Sequence, residues 1–205
     1  MTNLAIDLRG RYTWDDYRTW DDDERWEIVG GAAFDMSPAP STRHQDIAAG
    51  LTAALRQFMT GRRCRALAAP TDVKLSEEDV VQPALLVVCD ERQVRATHIE
   101  GAPKLVVEIL SPATALHDHV RKFKLYERSG VEEYWIVTPY PPMIEVYRLV
   151  DGRFSLAAGY EDRDTLRSPA FPELEIPLAG IFDFPVAPET PVKVVREGTP
   201  PYGKK

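Results

Sequence analysis

No stretch of this 205-residue chain approaches the roughly 18 consecutive apolar residues that a membrane-spanning helix needs. The opening "MTNLAIDLRG" also lacks a signal peptide's apolar core. A cytoplasmic protein with no membrane partner is therefore expected. Cysteine is scarce: Cys64 and Cys89 make neither a disulfide framework nor a metal-ligand spacing, and both read as free thiols in a reducing compartment. Positive charge is in deficit. Against 32 Asp and Glu stand 25 Lys and Arg, a formal net charge of −7, which argues against nonspecific nucleic-acid binding driven by total charge. A local basic groove stays open, because metal-dependent nucleases spend carboxylates on their active sites. There is no phosphate-cradling glycine loop, no Gly-x-Ser-x-Gly elbow, no zinc spacing and no internal repeat.

What is present suits a globular protein. Hydrophobic residues make up 44% and charged residues 28%, near globular averages. The length fits a single domain, taken here as 1–184, followed by a Pro-rich, extended or poorly ordered tail over 185–205. After a cap at Thr13, "YTWDDYRTW" places Trp14, Tyr17 and Trp20 about one turn apart, as a short amphipathic helix does. The acidic run 21–24 reads as a solvated loop. In "RWEIVGGAAFDMSP" two short apolar stretches flank Gly30-Gly31, a dipeptide suited to a tight hairpin. A helix follows, with Thr42 and Gln45 at capping-box spacing, apolar residues Ile47, Leu51, Leu55 and Phe58, and Gly61 at its end. Residues 73–75 and 80–88 predict two strands or one interrupted strand. Strand 105–111 precedes a second helix with a stripe of Leu116, Val120 and Phe123 and a cap at Gly130. A strand in "VEEYWIVTP", a hairpin around Asp151-Gly152 and a closing "LEIPLAGIF" complete the pattern. The order predicts an α/β domain on a mixed β-sheet flanked by helices, with an N-terminal helix and hairpin and a C-terminal hairpin.

Within "LVVEILSP" at 105–112, Glu108 interrupts an apolar run that reads as a strand buried on both faces, where a bare carboxylate is costly. It has to be paired, protonated or bound to a metal. On the next helix Asp118, Lys122 and Tyr126 recur every four residues and form one line on its surface. Lys122 can reach Glu108 if that helix packs beside the strand. A structural ion pair and a catalytic centre both fit this spacing. His44, near the start of the first long helix, is a capping or surface residue or a contact to substrate phosphate. His117 and His119 lie two apart on a helix and face different directions, so a shared metal is not expected. Arg62, Arg63 and Arg65 follow the first helix, and Arg121, Lys124 and Arg128 line the second. Solvated charge is the ordinary reading of both groups, with phosphate contact the alternative.

Several stretches in one order carry a resemblance: "RWEIVGG", "MSPAPSTRHQ", "APTDVKLSEEDVVQP", "GAPKLVVEILSP", the helix with Lys122 and Tyr126, "GVEEYWIV" and "LEIPLAGIF". From about Tyr12 to Phe182 the chain resembles the Uma-two family, within the PD-(D/E)XK restriction-endonuclease-like superfamily. The resemblance implies Mg²⁺- or Mn²⁺-dependent hydrolysis of DNA phosphodiesters, often by a homodimer. It implies Glu108 as metal ligand, Lys122 on the following helix as the catalytic lysine, and Glu27 as a further acidic residue of the cleft. His44, Gln82 and Tyr126 become candidate substrate contacts. Such residue types suit the chemistry, since Mg²⁺ takes carboxylate, water and phosphate oxygens and a lysine can stabilise transition-state charge. One departure is serious. Where the family has Pro-Asp, this chain has Pro83-Ala84, and a methyl group binds no metal. The open readings are an impaired or inactive copy, a deliberately substituted chain, or rerouting through Gln82, Asp72, Glu78, Asp79 or Asp90. The alternative function is a catalytically inactive DNA-binding or protein-interaction module.

Overall fold

The computed structural model describes residues 10–20, 25–36, 40–110, 115–183 and 185. The acidic run 21–24, Ser111-Pro112, the tail from 186 and the side chains of Leu116, His117 and Asp118 lie outside the described residues. Helix α1, Trp14–Tyr17, is a single turn in which the Asp16 carboxylate accepts from the N–H and hydroxyl of Thr13, each at 2.8 Å. Trp20 lies beyond it and packs against Tyr17 with ring centroids 5.4 Å apart. Strands β1, Trp26–Val29, and β2, Ala32–Asp35, form the expected hairpin. Gly30 and Gly31 take φ of +60° and +79°, the left-handed pair that a two-residue turn requires. Helix α2 is Thr42–Met59. Its cap is Ser41, one residue earlier than the expected Thr42, because the Ser41 hydroxyl accepts the His44 N–H. The buried face of α2 is Ile47, Leu51, Leu55 and Met59.

Next come β3 Arg65–Ala68, β4 Asp72–Ser76, β5 Asp79–Val81, β6 Leu85–Val88, β7 His98–Glu100 and β8 Leu105–Ile109. Helix α3, Ala115–Ser129, leads to β9 Glu133–Thr138, β10 Met143–Val150, β11 Arg153–Glu161, β12 Thr165–Arg167, β13 Glu175–Pro177 and a short α4, Ala179–Phe182. The strands make one sheet in the order β2-β1-β5-β4-β7, a second in the order β11-β10-β9-β8-β6-β3, and a β12-β13 ribbon. Pairing is antiparallel except for β4 with β7 and β8 with β9. The latter pair needs a crossover, and α3 supplies it. Among the described residues no helix is long and apolar enough to cross a membrane.

Two features of this layout position the site. The apolar run at 80–88 is split, β5 joining the first sheet and β6 the second. Pro83 has no N–H to give to a ladder, so Gln82-Pro83-Ala84 becomes the crossing between sheets. The second feature is the two-sided burial of β8. Leu105, Val107 and Ile109 join the core that α2 covers, while Val106 joins Leu125 and Tyr126 of α3 in a second core. Glu108, by alternation, faces α3.

The structure corrects two expectations. Val120 is 45% exposed and no part of a buried stripe. Phe123 of the expected stripe packs against the second core, while Lys122 and Tyr126, read as a separate line, are buried beside Leu125. Cys64 and Cys89 are not free thiols. They flank the paired residues Arg65 and Val88 of β3 and β6 and form a cross-strand disulfide with Cα atoms 4.0 Å apart.

Candidate active site

The crossover that follows β8 folds α3 back over the second sheet, and residues 122 and 126, one turn apart, arrive above Glu108. The Lys122 ammonium lies 3.0 Å from Glu108 Oε1, and the Tyr126 hydroxyl donates to the same oxygen at 2.7 Å. Glu27 comes from the other sheet. Strand β1 pairs with β5 through Ile28 and Val80, which sets Glu27 beside the crossing segment. Its Oε1 stands 2.8 Å from the Lys122 ammonium and accepts the Gln82 backbone N–H at 2.9 Å. The structure thus brings Glu27, Glu108, Lys122 and Tyr126 into one cluster at the junction of the two sheets.

Lys122 and Glu27 side chains are 5% and 3% exposed, Glu108 14%, so Glu108 is the member open to solvent. An ammonium between two carboxylates offsets much of the cost of removing all three from water. Tyr126 is wholly buried. Burial first, then the charges of Glu108 and Glu27, push its phenol well above the ordinary range. It therefore stays protonated and donates.

Position 84 follows by one step from the registered pair Leu85–Val107, which sets it alongside Glu108. Ala84 sits in the bend before β6, 7% exposed, and its methyl shares the core that α2 covers. The donor set does not fit a divalent metal. Among the described residues, Lys122 bridges the two carboxylates of Glu27 and Glu108, position 84 carries a methyl, and no group of three His, Cys, Asp or Glu could hold an ion. Rerouting finds no support either. The Gln82 amide oxygen accepts two bonds from Arg25, at 3.0 and 2.8 Å, and so is not turned to Glu108. Asp72 accepts from Tyr17 and Gln82, Asp79 from Arg128, Asp90 from Arg92 and Glu78 from Arg11.

His44 is not hydrogen-bonded into the cluster. It sits in the first turn of α2, across the second sheet from α3. Neighbouring Arg43 lies 4.3 Å from the Tyr140 ring centroid, in the turn after β9, so this end of α2 meets the edge at which β8 and β9 finish. Burial lowers the His44 pKa, favouring the neutral imidazole. Arg25, which with Asp72 fixes the Gln82 side chain, was not legible as a site residue. Only the approach of three separate segments unites them.

A family model described as "Putative restriction endonuclease" matches residues 14–179. The chain belongs to the Uma2 family. An "Uncharacterized protein" of Synechocystis sp. is 27% identical to this Uma2 chain over 158 residues, covering 74% of it and 82% of the relative. Among solved structures, one described as "a putative nuclease belonging to DUF820" from Anabaena variabilis superposes with a TM-score of 0.68 at 19% identity. That match covers 83% of the Uma2 chain and 97% of the neighbour, and at this identity it establishes the shared fold. Families of the restriction-endonuclease type generally use a divalent metal.

Proposed function

We propose that the chain is a DNA-acting endonuclease-fold protein in which Glu108, Lys122 and Glu27 form the hydrolytic centre and Ala84 leaves phosphodiester cleavage impaired or lost. One observation carries this reading: an ammonium held 2.8 and 3.0 Å from two carboxylates in a family of nuclease type, with alanine at the neighbouring acidic position. The residues have definite capacities. Lys122 is held by Glu27 and Glu108 and offers a positive charge to a phosphate oxygen entering over Glu108. Tyr126 holds Glu108 Oε1 in place. Glu27 ties the cluster to the crossing segment through the Gln82 N–H. A metal-bound water is the component that the present donor set does not support, which is why Mg²⁺ or Mn²⁺ belongs to the family's reaction rather than to this chain's side chains.

A cleavage assay on plasmid DNA with Mg²⁺ or Mn²⁺ tests the proposal, using the present chain and Ala84→Asp. The present chain should cut weakly or not at all, bind DNA without metal, and lose that binding as salt rises. Ala84→Asp should cut. Absence of DNA binding at any salt, together with an inert Ala84→Asp, would remove the nuclease reading.

A further inference from the structure

On the far side of Gln82 from Glu27 lies a cavity of about 600 Å³, formed where α1, the start of β1 and the loop before β7 converge. Its walls include Trp14, Tyr17, Trp20 and Trp26. The rings brace one another: Trp14 stacks on Tyr17 at 5.8 Å, and Trp20 meets Trp26 edge-on at 6.0 Å. Three of the chain's four tryptophans thus line one concavity. The polar part of the lining is equally ordered. Gln82 is held by Arg25 on one side and by Asp72 and the Tyr17 hydroxyl on the other. Arg18, at the rim, pairs with the exposed Asp15 at 3.2 Å and keeps 62% of its side chain exposed.

Each feature narrows the ligand. Several aromatic faces with hydrogen-bonding groups at one wall suit a flat heteroaromatic ring, since stacking on aromatics is strong and tolerant of which ring is bound. An alkyl chain would leave Arg25, Gln82 and Asp72 facing carbon. A quaternary ammonium, the other ligand of aromatic cages, would meet two guanidinium groups against the single carboxylate of Asp72, which already accepts from Tyr17 and Gln82. The guanidinium groups favour a ring that carries phosphate. Gln82 also couples this cavity to the candidate active site, its side chain serving one and its backbone N–H the other.

We propose that this cavity receives an unpaired nucleobase of a DNA strand, stacked among the tryptophans with its phosphate toward Arg25 and Arg18. The inference rests on the reading of the chain as DNA-acting and deepens it, because a base must leave its duplex to enter. Single-stranded or locally opened DNA is then the preferred substrate.

Intrinsic fluorescence reads the cavity directly, since Trp14, Trp20 and Trp26 line it while Trp135 is fully buried elsewhere. The full chain is titrated with a short single strand, the same strand in duplex form, and a single strand whose sugars carry no bases. The single strand should quench the emission and bind about tenfold or more tighter than either of the others, one stacked base being worth that much. Trp26→Leu should abolish the preference, and if that variant misfolds the comparison on the unaltered chain still decides. Equal, salt-sensitive affinity for all three DNAs would overturn the base pocket and leave the DNA-acting reading standing. No binding of any of them at low salt would overturn both.

Discussion

At the scale of the residue, the centre depends on Lys122. Removing its charge leaves Glu27 and Glu108 facing each other with little solvent, and breaking a buried ion pair from one side typically costs about 3–5 kcal/mol. Lys122→Met should therefore lower unfolding stability by about that amount in urea at pH 7. The cluster has three charged members, so a neutral replacement must treat all of them: Glu27→Gln, Lys122→Met and Glu108→Leu together should recover most of the loss. If Lys122→Met unfolds at the wild-type urea concentration, the ammonium is not held between the carboxylates. Tyr126 gives a second prediction. Its folded pKa is raised above the ordinary 10.0, so from about pH 10 upward the unfolded chain releases a proton that the folded chain keeps. Stability from this group is complete below pH 10 and declines as pH rises further. Tyr17, raised by burial and by the Asp72 carboxylate, acts in the same sense. Tyr17 and Tyr126 should ionise only on unfolding, seen as a late step in a phenolate absorbance titration. Early ionisation of both in the native chain would contradict their environments.

At the scale of the element, β8-α3-β9 and the crossing segment 82–84 do most of the positioning. Glu108 was legible because a lone carboxylate in a short apolar strand demands a partner, and residues 118, 122 and 126 recur at helical spacing. The face of α3 was misread at Val120, though not at Phe123, because apolar residues ordinarily mark the inward side. Here the inward line includes a lysine, whose stem packs while its head finds carboxylates, so Val120 is left outside. The disulfide was illegible for another reason. A separation of 25 residues says nothing about register, and only the antiparallel pairing of β3 with β6 brings Cys64 opposite Cys89. Closing a loop of that length is worth about 3 kcal/mol. Cys64→Ser with Cys89→Ser should therefore lower stability by about 3 kcal/mol under oxidising conditions. Under strong reductant the gap between variant and parent should vanish. A variant equal to its parent in both conditions would show that the bond contributes nothing.

At the scale of the whole molecule, two sheets meet along one crossing, and both candidate regions lie against it. Glu27 arrives from the first sheet, Glu108 from the second, and Gln82 between them faces the aromatic cavity. Hydrophobic periodicity located most strands and both long helices but could not show this convergence. The placement of Trp14, Arg25, Trp26 and Asp72 around Gln82 depends on tertiary packing rather than spacing. The acidic surplus takes on local meaning as well: Asp72, Asp79, Asp90 and Glu78 each have hydrogen-bonded partners and are committed elsewhere. On the proposed reading, what the molecule lacks for its family's chemistry is an acidic side chain at position 84. Calorimetric titration with Mg²⁺ tests that claim directly, on the present chain and on Ala84→Asp. The present chain should give no saturable binding heat, whereas the variant should give a saturable isotherm. Equal Mg²⁺ affinity in the two proteins would contradict the account.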